Sequence, residues 1–257
     1  MFAVPADAYD RYVGRYSPLL ARRLIDIAGV KRGDQALDVG CGTGALTAQL
    51  VAVLGPGSVA AADPSEPFAT TCRARNPGVR VEVAPAEALP FADSEFDHAL
   101  SQLVVNFMAD ARAGVAEMRR VTRPGGALTS ATWDYAEGMT LIRTFFDAAI
   151  ALDPAAAEHD EGRRMRYCRP DELRDLWIAA GLGEVKVQPI DVRAAYDSFE
   201  DLWSPLEFGV GPVGAYAMSL APPQRAALRD ELRRRLGVGD APFELPARAW
   251  AATGRVP

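Results

Sequence analysis

The chain has 257 residues, of which 49% are apolar and 24% charged, enough to bury one full α/β core within a single domain. A net charge of −6 disfavours a nucleic-acid partner, and three scattered cysteines, Cys41, Cys72 and Cys168, lack the paired spacing of a disulfide framework or structural zinc; no metal is expected. No apolar run approaches the roughly 20 residues of a membrane span, and the opening residues carry Asp7, Asp10 and Arg11 in place of an apolar export core, so a cytoplasmic protein with no membrane partner is expected.

In chain order, Tyr9, Tyr12, Arg15 and Tyr16 precede Ser17 and Pro18, which are placed as a helix N-cap and first-turn proline. Leu20, Leu24 and Ile27 then give one apolar helical face, closed by Gly29. Residues 35–39 have the short apolar character of a buried parallel strand, and residues 43–54 carry Leu46, Leu50 and Leu54 at helical spacing. Between them, Gly40, Gly42 and Gly44 mark a strand-to-helix turn. Glycines there permit positive φ and close approach of a ligand, and the free N–H groups of the helix start favour negatively charged ligand groups. Strands are expected at 58–62, ending on Asp63, at 79–83, at 96–100 and at 127–133, with a helix bearing Ala111, Val115, Met118 and Val121 before the last. Asp63 can accept from both hydroxyls of a ribose, or cap the next helix with Pro64 in its first turn.

Past residue 134 the pattern changes to a helix stripe of Met139, Ile142, Phe146 and Ile150, then an Ala-rich charged stretch containing His159. A further helix over 170–180, a strand over 184–192 and a capping box of Ser198 and Asp201 follow. Residues 206–216 (LEFGVGPVGAY) are too rich in glycine for a helix interior, and read as a core-plugging turn or an apolar flap. A helix over 222–236 and a last strand over 243–255 complete the chain.

The glycine spacing alone leaves two ligands open. Gly40, Gly42 and Ala45 also satisfy the dinucleotide fingerprint, with Asp63 about 20 residues on where a ribose acid belongs. Asp38 discriminates: an acid at the strand end sits awkwardly beside a pyrophosphate and suits an ammonium group. S-adenosylmethionine combines that ammonium with a ribose, a carboxylate and a sulfonium.

The run 36–44 (ALDVGCGTG) resembles the first motif of class I S-adenosylmethionine-dependent methyltransferases. Residues 59–65 (VAAADPS), 84–91 (APAEALPF), 96–105 (FDHALSQLVV) and 123–126 (RPGG) resemble that family's later motifs in order, and both ends of the chain resemble its small-molecule, quinone-biosynthesis-like group. The resemblance implies a doubly wound, Rossmann-like α/β fold with seven strands in the order 3-2-1-4-5-7-6, strand seven antiparallel. It implies one domain over 1–257, with an N-terminal helical lid over 1–30 and substrate-side helical cover from 134–169 and 196–240. Its cofactor would be S-adenosylmethionine, held by Asp38, Gly40, Cys41, Gly42, Gly44, Asp63 and Pro64, by Ala86 and Glu87 on the adenine side, by Ser101 and Gln102, and by Tyr16 from the lid. Relatives commonly place an acid where this chain has Pro85, so Ala86 backbone groups or the Glu87 carboxylate would meet the adenine.

Gln102 and Asn106 come off the fourth strand's C-terminal end and are the polar groups best placed near a transferable methyl, giving them the catalytic role. The reaction expected is in-line displacement of the sulfonium methyl by an oxygen, nitrogen or carbon of a small molecule, promoted mainly by positioning, in a monomer or homodimer. Two other readings keep the cofactor fold without the reaction: a cyclase or a binding module. A nicotinamide oxidoreductase shares the loop but lacks residues for hydride chemistry. His98, inside a strand, reads as a satisfied core histidine.

Overall fold

The computed structural model describes residues 11–257; Tyr9, Asp7, Asp10 and the start of the expected lid lie outside the described residues. Three strands are buried along nearly their whole length: β1 (Ala36–Val39), β2 (Val59–Asp63) and β4 (Phe96–Gln102). Apolar residues on both faces require cover on both faces, and the chain supplies it with helices between successive parallel strands. These are α1 (Ser17–Ala28) ahead of the sheet, α2 (Ala45–Leu54), α3 (Glu66–Arg75) and α4 (Ala111–Val121). With β3 (Arg80–Val83), β5 (Thr122–Trp133), β6 (Gly183–Tyr196) and β7 (Phe243–Arg255) the sheet runs β3-β2-β1-β4-β5-β7-β6, as the resemblance implied. The first five strands pair in parallel and β7 lies antiparallel to β5.

The order has one mechanical consequence. From β1 the chain winds outward through β2 and β3, then returns to β4 on the other side of β1. The carboxyl ends of β1 and β4 are therefore the topological switch point, where an open α/β sheet leaves a crevice. Leu37, Val39, Val115, Met118, Leu128 and Trp177 lie in the core cluster beneath it.

Several boundaries differ from the sequence reading. On α1 the buried face is Leu20, Leu24 and Ile25, so Ile25 takes the place assigned to Ile27. β4 extends through Gln102, which puts Ser101 and Gln102 on the strand instead of beyond it. The pairing jumps from Phe96 with Thr122 to His98 with Ala127, so Pro124 to Gly126 bulge out, and a Cβ on Gly126 would lie 2.6 Å from the Asp97 carbonyl oxygen.

By internal contacts the chain divides into two compact units. The larger comprises Ser17–Trp133, Arg166–Ile190 and Ala249–Pro257. It holds β1 to β5, the first part of β6 and the last part of β7, with α7 (Pro170–Ala179) packing Leu173, Leu176 and Trp177 into the core. The smaller comprises Asp134–Met165 and Asp191–Arg248 with the segment ending at Tyr16. Its helices are α5 (Thr140–Leu152), α6 (Glu161–Arg164), α8 (Phe199–Trp203), α9 (Gly211–Ser219) and α10 (Pro222–Leu236). The glycine-rich stretch therefore does enter a helix. At Gly214 a Cβ would lie 2.7 Å from the Gly209 backbone, so the glycine that lowers helix propensity is what lets α9 close onto the preceding turn.

Candidate cofactor site at the carboxyl ends of β1, β2 and β4

All three glycines of the loop have positive φ, +77° at Gly40, +52° at Gly42 and +92° at Gly44, so the turn depends on residues without a Cβ. Their surroundings separate them. A Cβ on Gly40 would fall 2.4 Å from a methyl of Val104, and one on Gly44 would fall 2.4 Å from Asn76 Nδ2 and 3.1 Å from Cys72 Sγ. Beside Gly42 there is open space. The loop is pinned to β2 by Gly40 and Cys41 N–H groups donating to the Ala62 carbonyl at 2.7 and 3.0 Å.

Two carboxyl groups flank the open glycine. Asp63 Oδ2 accepts from the Gly42 N–H and Oδ1 from the Ser65 N–H, both at 2.9 Å. The Asp63 side chain thus holds its own turn, while Ser65 is the N-cap of α3. Each of its oxygens keeps further acceptor capacity. Burial raises the Asp63 pKa against the pull of those two N–H groups. Asp38 is 1% exposed, and its Oδ2 accepts from Thr47 Oγ1 at 2.6 Å. Its Oδ1 is buried with no protein partner. Desolvation, reinforced by Cys72 and Asp63 and opposed by Thr47, raises the Asp38 pKa to about 8.

Past Gln102 the chain kinks. Leu103 has φ +64°, uncommon for leucine, and its N–H donates to the Ala131 carbonyl at 2.7 Å. The kink carries Val104 over Gly40. Buried polar atoms without protein partners gather at these strand ends: besides Asp38 Oδ1 they include Ser101 Oγ, Gln102 Oε1, Ser130 Oγ and Thr132 Oγ1. Buried polar groups are normally paired, so such a group marks a place built for something else to bind.

Comparison with known proteins agrees with this geometry. Residues 37–130 match the family model described as methyltransferase domain. The chain is 30% identical over 206 residues to an uncharacterized protein of Mycobacterium tuberculosis, covering 77% of this chain and 74% of that one. It is 29% identical over 237 residues to malonyl-[acyl-carrier protein] O-methyltransferase of Hahella chejuensis, covering 91% of this chain and 78% of that one. The chain belongs to the class I S-adenosylmethionine-dependent methyltransferases. Solved structures share the fold: a SAM-dependent methyltransferase from Thermotoga maritima at TM-score 0.53 and 20% identity, covering 95% of this chain and 92% of that one. A Haemonchus contortus phosphoethanolamine N-methyltransferase, solved with phosphomonomethylethanolamine and S-adenosylhomocysteine, aligns at TM-score 0.61 and 15% identity, covering 98% of this chain and 57% of that one. S-adenosylmethionine is the methyl donor of this methyltransferase.

The residues present fit that cofactor. A buried carboxyl with a partnerless oxygen answers an ammonium, a carboxylate with spare lone pairs answers vicinal hydroxyls, and the open side of Gly42 admits the chain between them. On the expected adenine side, Ala86 is buried and Glu87 Oε1 accepts from the Asp110 N–H at 3.0 Å, so this carboxylate holds the loop to the start of α4. The loop is further held by Arg120, which donates to the Leu89 and Phe91 carbonyls at 2.9 Å each, and by Glu117, which accepts from the Leu89 N–H at 3.0 Å. Pro64 is exposed at the end of β2. Gln102 Nε2 donates to the Ser17 carbonyl at 3.1 Å, leaving Oε1 as the free end, and Asn106 lies in the short 3-10 turn Val105–Phe107 just after the kink.

Tyr16 belongs to the other unit. It is fully buried, its hydroxyl 3.2 Å from that of Tyr196 and 3.4 Å from the Leu245 carbonyl. Arg15, beside it in the chain, is bidentate to Asp201 at 3.0 and 3.2 Å. His98 is a buried strand histidine with Nε2 2.9 Å from Asp34 Oδ2; Nδ1 has no partner, so it is satisfied at one nitrogen where the sequence suggested a satisfied core histidine, and burial lowers its pKa. His159 is exposed. Cys41 is pushed up by its hydrogen bond to Cys72 and by burial.

The residues that sequence reasoning passed over are Thr47, Leu103, Val104, Glu117 and Arg120. Only Thr47 left a signal, a polar residue sharing one face of α2 with Leu46 and Leu50; the others act through distant contacts that no local pattern encodes.

Proposed function

We propose that this methyltransferase modifies an oxygen, nitrogen or carbon of a small-molecule acceptor, and that Gln102 and Asn106 position that acceptor while Asp38, the glycine loop and Asp63 hold the cofactor. The observation that carries the reading is the pair of buried carboxyl groups flanking the open side of Gly42, one with a partnerless oxygen and the other with spare acceptor capacity.

When bound, S-adenosylmethionine supplies a methyl group on a positively charged sulfur, already activated towards a nucleophile. The chain's task is placement and exclusion of water. Asp38 takes the ammonium on Oδ1, Asp63 accepts from the ribose hydroxyls, and the backbone and side chains at Cys41, Gly40, Gly44, Pro64, Ala86, Glu87 and Ser101 complete the proposed cofactor contacts. Gln102 Oε1, turned away from the Ser17 bond, can accept a hydrogen bond from an acceptor O–H or N–H and hold its lone pair towards the methyl. Holding two reactants at near-attack distance is worth several kcal/mol without any covalent intermediate, roughly 7 or more in favourable cases. No triad or metal is needed for that, and the described residues contain no group of three or more potential metal-ligating side chains.

In this proposal the enzyme works in the cytoplasm as a monomer or homodimer; no helix among the described residues is long and apolar enough to cross a membrane. The net charge of −6 supports a small molecule over a nucleic acid. The malonyl thioester of the Hahella relative makes carboxylic acids the first acceptors to try. The test measures S-adenosylhomocysteine formation against a panel of small acids, phenols and amines, with tRNA and an acyl-carrier protein as further arms. Acceptor-dependent turnover by one small molecule, lost in Asp63→Ala together with cofactor affinity, supports the proposal. Turnover on a macromolecule alone, or undiminished affinity in Asp63→Ala, refutes it.

A further inference from the structure

Resting on the cofactor placement just proposed, we infer that Thr47 is a positioning residue that decides which oxygen of Asp38 faces the ligand. Thr47 is fully buried at the third position of α2, and its hydroxyl reaches back nine residues to Asp38 Oδ2 at 2.6 Å. A contact that short is a strong O–H···O hydrogen bond with the threonine as donor. The hydroxyl has one proton, so it must be an acceptor towards its other neighbour, and Cys72 Sγ donates to Thr47 Oγ1 at 3.5 Å. Cys72 is in turn approached by Asn76 Nδ2 at 3.8 Å. The row Asn76, Cys72, Thr47, Asp38 has one consistent direction of donation, and it ends on Oδ2.

The direction matters because the two oxygens of Asp38 are then unequal. Oδ2 is closed by Thr47, whereas Oδ1 is equally buried and has no partner. A proton on this carboxyl, or the ammonium that displaces it, therefore belongs on Oδ1. Gly44 allows the arrangement: a Cβ there would come within 2.4 Å of Asn76 Nδ2 and 3.1 Å of Cys72 Sγ, so any side chain at this position would push the row out of line. Without the Thr47 hydroxyl only the Thr47 backbone N–H still holds the carboxyl, which can turn more freely, and the ammonium loses a firmly fixed acceptor.

Two ligands isolate the effect. S-adenosylhomocysteine carries the amino-acid end; 5′-methylthioadenosine has the same nucleoside and a thioether but no ammonium. Calorimetry on Thr47→Val is expected to show about a 10-fold loss of S-adenosylhomocysteine affinity with methylthioadenosine affinity held within about 2-fold, and Thr47→Ser is expected to restore the wild-type difference. An equal loss for both ligands, or none for either, overturns the positioning role, since general damage to the loop would strike both. If the wild-type protein itself makes no distinction between the two ligands, and Asp38→Asn changes neither, the cofactor placement fails and the inference fails with it.

Discussion

Asp160 of the smaller unit and Asp38 of the larger are buried in different ways. In the smaller unit Asp160 is 1% exposed, but Oδ1 accepts from Arg143 at 3.0 Å and from the Gly162 N–H at 2.9 Å, and Arg163 approaches Oδ2 at 3.4 Å. Arg15 and Asp201 close on each other in the same way. In the larger unit the buried carboxyl of Asp38 meets no cation at all: a threonine takes one oxygen and nothing takes the other. Ion pairs of the first kind hold a fold in register and leave little for a ligand to gain. A lone buried acid of the second kind stands at a cost that binding can remove, which is why the cofactor reading rests on the strand ends.

The sharpest way to break this contrast is at the glycine loop. Gly40→Ala must place a Cβ against Val104 at a φ of +77°, and urea unfolding is expected to show a loss of about 2–4 kcal/mol together with cofactor affinity. Gly42→Ala, with open space beside it, is expected to cost only about 1 kcal/mol of stability from its positive φ. Equal losses at the two positions would remove the distinction drawn between them.

Asp38→Asn tests the unpaired acid directly. With a folded pKa of about 8 against an ordinary value of about 4, the native chain holds a proton that the unfolded chain has released, so this group's contribution to stability falls as pH rises through that window. The ligand-free variant is expected to gain about 1–3 kcal/mol over wild type at pH 8 and nothing near pH 4, while binding S-adenosylhomocysteine more weakly. Thermal melts across that range, with and without ligand, read both effects.

Glu161 is the exception within the smaller unit, and the smallest effect belongs to it. It is 3% exposed, Oε2 has no partner, and burial followed by repulsion from Asp160 raises its pKa to about 8. The sign is the same as for Asp38. Glu161→Gln is expected to raise stability at pH 8 by about 1 kcal/mol, with S-adenosylhomocysteine affinity unchanged in calorimetry. A loss of cofactor affinity here would blur the contrast between Glu161 and Asp38.

The sheet was legible because buried parallel strands must be short, apolar and separated by helices, and residues 36–39 and 59–63 have no other way to bury both faces. The places of Asp38 and Asp63 were legible because each falls at or beside the carboxyl end of a short apolar strand. What stayed hidden depends on contacts remote in sequence. Nothing near Gly40 announces that Val104 covers it, and nothing near Leu89 announces Arg120. The helix at Gly211–Ser219 was missed because Gly214 serves packing at the expense of local propensity. The pairing of Arg15 with Asp201 was hidden because the two lie 186 residues apart.

The kink at Leu103 ties the histories of two distant positions together. With Val104 carried over the bare Cα of residue 40, neither site can drift alone: a methyl group at 40 becomes tolerable only after the branched side chain at 104 has been trimmed. In a mutational scan, Val104→Gly should rescue part of what Gly40→Ala destroys, and related chains that have lost the glycine at 40 should carry a small residue at 104.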